Sequence, residues 1–315
     1  FSPQPLVLNK QPTSAMLRLL GLLLARAAAE DELSLLQLPL FEPGSSDPGS
    51  QAARLHAALP FAWVHVPKCG SSFANFLVDL PGVCPRVPLE EVISDDKGGS
   101  DQLLFFRRKY RIDFADGACG MNFFRWGHHW GVGKHDDWVA DYKGHAVTML
   151  RQPEQRLLSA YHYGHHSWPG DHPPADALEF AQVVQGCSVR ILTRGGTGVQ
   201  EPCGGRIGGM PTASEVQLAI SRLRTDFAFV GLTDKWPLSM CLGHRIFGGS
   251  CRWNDFVDTR ITRQPGQFAV RAEIEPWNTT ALRGFRDAYD GPLYDVAKEV
   301  FARELEVYDA SIESC

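Results

Sequence analysis

Three stretches of this chain join an unbroken apolar run to the start of a helical repeat. Phe61-Ala62-Trp63-Val64-His65-Val66 is aromatic and β-branched, a strand composition. Phe73, Phe76 and Leu77 then recur at helical spacing. Gly144 to Arg151 reads as a second core strand, and Leu157, Leu158 and Tyr161 give the helix after it an apolar face. Phe227 to Thr233 reads as a third strand, leading through Asp234 into a helix that runs to Ile246. Ser214 to Arg224 has the pattern of a capped amphipathic helix. Pro292 to Tyr308 is a terminal one, with Leu293, Val296, Val300 and Leu305 on its apolar side. Asp171 to Gly209 is rich in Gly and Pro and irregular, with a helix expected over Phe180 to Leu192. Strands alternating with helices predict an α/β domain.

The pattern changes at the N-terminal end. Met16 to Ala29 combines a basic residue near its start, a short apolar run and small residues at Ala25, Ala27 and Ala29, the outline of a secretory signal peptide. An amphipathic surface helix and a transit peptide share that outline. The run is too short and too interrupted by arginine to span a bilayer. Glu42 to Gln51 reads as a linker. Residues 1–53 are therefore expected to be leader and linker, and 54–315 the folded domain.

The joints between strands and helices carry the candidate chemistry. Pro67 ends the first strand and holds Val66 extended. Gly70 permits a turn and close approach to a ligand. Ser71 and Ser72 are good N-caps for the helix beginning near Phe73. A strand, a Gly/Ser turn and a helix start form an anion cradle, and Lys68 adds a full charge at its rim. This is not a Walker A loop, whose lysine follows its second glycine and directly precedes Ser or Thr. Arg151 falls at the end of the second strand, where open α/β sheets bind ligands. Pro153 suits a first helical turn. Arg156, Ser159 and Tyr163 share a helical face, so Arg151 and Ser159 can close on one phosphate. Phe123 to Gly133 is an aromatic strand running into a Gly/His turn, and His128 and His129 are candidate proton acceptors.

The net charge of −5 argues against a general nucleic-acid binder but leaves room for a local basic cleft. The basic run at Arg107, Arg108, Lys109 and Arg111 reads as a solvated face. His162, His165 and His166 have metal-compatible helical spacing, but a solvated helix end explains them, and no metal is expected. None of the eight cysteines forms a C-x-x-C pair. An even count suggests disulfides whose pairing the sequence does not fix; Cys187 with Cys203, and Cys241 with Cys251, are the local pairs to check first, with Cys69 expected as a free thiol and eight buried thiols as the alternative. Asn278-Thr279-Thr280 is an N-glycosylation sequon.

Pro67-Lys68-Cys69-Gly70-Ser71-Ser72-Phe73 resembles the 5′-phosphosulfate loop of sulfotransferases that use 3′-phosphoadenosine 5′-phosphosulfate (PAPS). Arg151-Gln-Pro153-Glu-Gln-Arg156-Leu-Leu-Ser159-Ala-Tyr161 is similar to their 3′-phosphate motif. Val-Gly231-Leu-Thr233-Asp234, with Ser239 downstream, and Trp126-Gly127-His128 resemble blocks of the Golgi carbohydrate branch, which includes the heparan and uronyl 2-O-sulfotransferases. The resemblance spans about residues 60–250. It implies a P-loop-like three-layer sandwich, a central parallel sheet flanked by helices. It also implies PAPS as sulfate donor, a glycan hydroxyl as acceptor, and the Golgi lumen as location, with membrane association only through the N-terminal segment. In that likeness Lys68 neutralises the phosphosulfate. Cys69, Gly70, Ser71, Ser72 and Phe73 form its cradle. Arg151 and Ser159 hold the 3′-phosphate, Gly231 to Thr233 border the adenine, and His128 is the general base. Cys69 stands where Thr or Ser is usual, Ser71-Ser72 where a Thr-containing pair is usual, and Asp234 where Glu is usual. A tyrosine or small-alcohol sulfotransferase and a non-catalytic glycan binder are the competing readings.

Overall fold

The computed structural model describes residues 46–89, 91–92, 131–132, 135–195, 203, 209–258, 269–270 and 275–315. All lie in one compact unit, Gly44–Cys315. The first helix, α1 (Pro48–Ala58), is capped by Asp47, whose Oδ1 accepts the amides of Gly49 and Ser50 at 2.9 and 3.0 Å. Arg54 Nε donates to the Ile246 carbonyl at 2.9 Å, so α1 is docked on the body of the protein. The linker composition read over Glu42 to Gln51 therefore gives way to helix at Pro48. An Asp-Pro pair serves a helix start as well as a turn.

Three strands, β1 (Ala62–Trp63), β2 (Ala146–Leu150) and β3 (Phe227–Leu232), form a parallel sheet in the order β1-β2-β3. Every residue of the central strand is buried, as expected of a parallel strand covered on both faces. Ala62 pairs with Ala146 and Met149 with Gly231. The predicted first strand, Phe61 to Val66, is cut short. The Val64 amide still reaches the Val147 carbonyl at 2.9 Å, but the Val64 carbonyl accepts from the Thr148 hydroxyl, not from a ladder amide.

Helices α2 (Phe73–Asp79), α3 (His135–Asp141) and α4 (Pro153–His162) follow the chain around this sheet. The Phe73 ring stacks near Phe76 and Phe229, with centroids 5.3 and 5.5 Å away, binding α2 to β3. The helix expected over Phe180 to Leu192 is two helices, α5 (Ala177–Val184) and α6 (Cys187–Thr193). They are split at Gly186, which takes φ +72°. Helix α7 (Ala213–Thr225) starts at a Thr212–Glu215 capping box, ahead of the expected Ser214. Helix α8 (Trp236–Phe247) follows β3 through a 3-10 turn, and α9 (Asp290–Val307) closes the fold. A second, antiparallel pair joins β4 (Val257–Asp258) to β5 (Ala269–Val270). Among the described residues no helix is long and apolar enough to cross a membrane.

Cys187 and Cys203 are bonded, as the spacing suggests. Cys251 pairs with Cys315, not with Cys241, which stays a buried thiol. Sequence proximity was a poor guide there because the chain end returns to the same place. Disulfides of this kind persist in oxidising compartments and are compatible with a secretory or extracellular location.

Candidate functional site

In a parallel sheet the carboxyl ends of all strands lie on one side. The turns after β1, β2 and β3 therefore converge, and they carry Lys68, Arg151 and Thr233. Arg151 Nη1 donates to the Lys68 carbonyl at 3.4 Å, and Thr233 Oγ1 donates to the Cys69 carbonyl at 2.8 Å. Two residues from the turns after β2 and β3, 83 and 164 positions beyond the carbonyls they bind, thus grip adjacent carbonyls of one loop.

The loop is held in a high-energy shape. Lys68 has φ +66°, a left-handed conformation that costs a residue with a Cβ roughly 1–2 kcal/mol. Strain of this kind concentrates at functional sites. Gly70 has φ +95°, and a Cβ there would overlap the Trp236 ring. So the close approach that Gly70 allows is to Trp236, the first residue of α8. Trp236 is in turn fixed by Nε1 donating to the Asp255 carbonyl at 2.8 Å.

The cradle's donors can be sorted by their bonds. The amides of Phe73 and Ala74 donate to the carbonyls of Gly70 and Ser71 at 3.1 and 3.2 Å, and Asn75 to that of Ser72 at 3.0 Å. Phe73, fully buried, therefore contributes packing, not a donor. The amides of Gly70 and Ser71 have no acceptor among the described residues. Ser72 precedes α2 without a side-chain cap bond and is buried. Cys69 is buried; desolvation pushes its thiol up to about 12, against the pull of the Arg156 and Arg151 guanidiniums. A thiol so placed is inert at neutral pH.

The end of α4 meets the loop at Tyr163. Ser159 is buried, and one turn later Lys68 Nζ lies 3.6 Å from the centre of the Tyr163 ring, a cation–π contact. Tyr163 is 44% exposed. Its i+4 spacing from Ser159 was the available signal for its place here. Arg156, on the same helix, is turned away into the core: its Nε lies 3.7 Å from Asp290 Oδ2, and its Nη2 donates to the Val184 carbonyl. Gly231 is buried in β3, where a Cβ would overlap Met149 Sδ. It makes room for packing between strands.

Asp234 ties the site together, a role its position alone did not reveal. Its Oδ2 accepts the Gln152 amide at 3.0 Å and the Tyr294 hydroxyl at 2.6 Å, joining the turns after β2 and β3 to α9. Burial, with Asp234 beside it, holds the Tyr294 phenol well above its ordinary range. The shorter side chain found where Glu is usual in the resembling family is thus fully used.

Neither family models, curated proteins nor solved structures match this chain. The site therefore has to be read from its own chemistry. His128 and His129 lie outside the described residues, as does the basic run at 107–111. The three histidines with helical spacing do not share a helix: α4 ends at His162, and His165 follows in a left-handed turn at φ +57°. What remains is one ammonium, one mostly buried guanidinium and two loop amides at the same end of the sheet, groups that suit a small, multiply charged anion.

Proposed function

We propose that this chain is a PAPS-dependent sulfotransferase acting on a carbohydrate hydroxyl in the secretory pathway, with the Golgi lumen as its location and a P-loop-like sandwich as its fold. The observation that carries the reading is the double grip on the loop: Arg151 on the Lys68 carbonyl and Thr233 on the Cys69 carbonyl. These bonds join the segments resembling the 5′-phosphosulfate loop and the 3′-phosphate motif. Lysine, arginine and amide donors at one sheet end also fit a nucleotide bearing charge at both its 5′ and 3′ sides. The disulfides and the exposed sequon at Asn278 are in keeping with a secretory location.

PAPS supplies an activated sulfuryl group when bound. The chain's part is positioning and charge stabilisation, the main needs of in-line transfer. Lys68 leaves the Tyr163 ring to meet the 5′ oxygens and the charge that builds on the departing phosphate. The Gly70 and Ser71 amides donate to the same oxygens. Arg151, with Ser159, holds the 3′-phosphate. Thr233 spends its hydroxyl proton on Cys69 and so acts from behind, keeping the loop in shape. In the resembling family the residue at His128 takes the acceptor's proton, and we give it that role.

Labelled sulfate transfer from PAPS to a panel of desulfated glycans tests the activity. Adenosine 3′,5′-bisphosphate binding tests the site. Lys68→Ala is expected to weaken binding about 10- to 100-fold, the loss of one charged hydrogen bond. His128→Ala is expected to keep binding and lose about 10²–10⁴-fold in turnover. Tight binding with no transfer to any acceptor would replace the enzyme by a non-catalytic glycan binder. Failure of both would remove the reading.

A further inference from the structure

We infer that Cys251 is a sulfur exchange point, where the Cys251–Cys315 disulfide is traded for a Cys241–Cys251 disulfide and Cys315 is released as an exposed thiol. The two glycines after α8, Gly248 and Gly249, both take φ +85° and turn the chain back, returning Cys251 to the level of Cys241. The three sulfurs all lie within 4.8 Å of one another. Cys241 is buried with a free thiol, Cys251 is half-buried, and Cys315 is exposed. An attacking sulfur, a central sulfur and a leaving sulfur are thus gathered at one place.

The step is an isomerisation. Cys241 gives up its proton, and its thiolate attacks Cys251 Sγ. The Cys241–Cys251 bond forms as the Cys251–Cys315 bond breaks, and Cys315 leaves as a thiolate that takes up a proton. One disulfide and one thiol stand on each side, so no oxidant or reductant is consumed. Burial pushes the Cys241 thiol up to about 11, so thiolate is scarce and exchange is slow at neutral pH. The released thiol, being exposed, is open to small disulfides such as oxidised glutathione.

The exchange is read on the full chain. Wild-type protein is held in mildly alkaline glutathione buffers of graded redox poise, quenched with acid, alkylated and mapped by peptide mass. Label is expected on Cys315 in excess of Cys251, together with a linked Cys241–Cys251 peptide. Cys241→Ser should abolish that excess, so that Cys251 and Cys315 open together. Cys315→Ser should show loss of label at both Cys241 and Cys251, because they are joined. Equal labelling of Cys251 and Cys315 in the wild type, with Cys241 never linked, overturns the inference even if the Cys315→Ser chain does not fold. A folded Cys315→Ser chain labelled at Cys251 overturns it as well.

Discussion

Arg151 and Arg156 belong to one short motif, yet they serve regions built on opposite principles. Arg156 is 1% exposed and faces Asp290. Asp290 also accepts the Ser188 amide and hydroxyl at 3.0 and 2.9 Å and the Val189 amide at 3.0 Å, capping α6 from the start of α9. Nearby, Asp287 accepts the Gly186 amide at 2.9 Å while its own amide donates to Glu154. Carboxylate oxygens there are matched to backbone and side-chain donors. Arg151, 8% exposed, donates to a loop carbonyl, and Lys68 lies over a ring. Buried acids inside tie the helices into a frame, while the cations at the sheet's open end hold and flank a loop.

The sharpest way to break this contrast is to remove one acid from the frame. Asp290→Ala leaves the Arg156 guanidinium buried without its carboxylate and strips acceptors from the first turn of α6. Breaking a buried pair on one side costs about 3–5 kcal/mol. Chemical denaturation should show a loss of that size. Arg151→Ala should cost clearly less stability while weakening adenosine 3′,5′-bisphosphate binding. Equal stability losses from the two would show that Arg151 is part of the frame as well.

The next test is at the loop itself. Gly70→Ala places a Cβ against the Trp236 ring at φ +95° and should cost about 1–3 kcal/mol, the range for overpacking. Because the cost arises at one contact, Trp236→Phe should absorb part of it. In a double-mutant cycle the pair should lose less than the sum of the singles. Strict additivity would mean that the backbone angle, not the ring, makes Gly70 necessary.

The contrast also explains what was legible before folding. Pro67, Gly70, Pro153 and the apolar runs act within a few residues, so the loop, the ends of the second and third strands and Arg151's place at the sheet end could be read directly, whereas the first strand stops at Trp63, short of Pro67. The frame is made of partners far apart in the chain. Asp290 has no local pattern that marks it as the cap of α6. Cys251 had a near partner in sequence and took a distant one. Helix spacing groups Arg156 with Tyr163, but only packing shows that one faces Asp290 and the other Lys68. The three-strand parallel sheet with its helices bears out the α/β class, while Trp236 as the neighbour of Gly70 was visible only in three dimensions.

The last test concerns the support behind the loop, and it separates that support from the buried frame by pH. Asp79, at the end of α2, accepts a hydrogen bond from Asn254 Nδ2, and Asn254 adjoins Asp255, whose carbonyl holds Trp236. Burial pushes the Asp79 carboxyl from 3.8 up to about 7, against the pull of the Asn254 bond. Its folded-state pKa therefore lies above its unfolded value. The folded protein holds this proton more tightly, so the associated stability is complete below about pH 4 and is lost as pH rises toward 7. A protonated Asp79 also carries a hydroxyl donor, and Asn254 Oδ1 has no donor among the described residues. Asp79→Asn keeps the shape and removes the titration. Denaturation stability between pH 4 and 7 should fall less in the variant than in the wild type, a difference on the order of 3 kcal/mol across the window. Parallel curves would mean that Asp79 is ionised in the fold, and that Asn254 alone balances its charge.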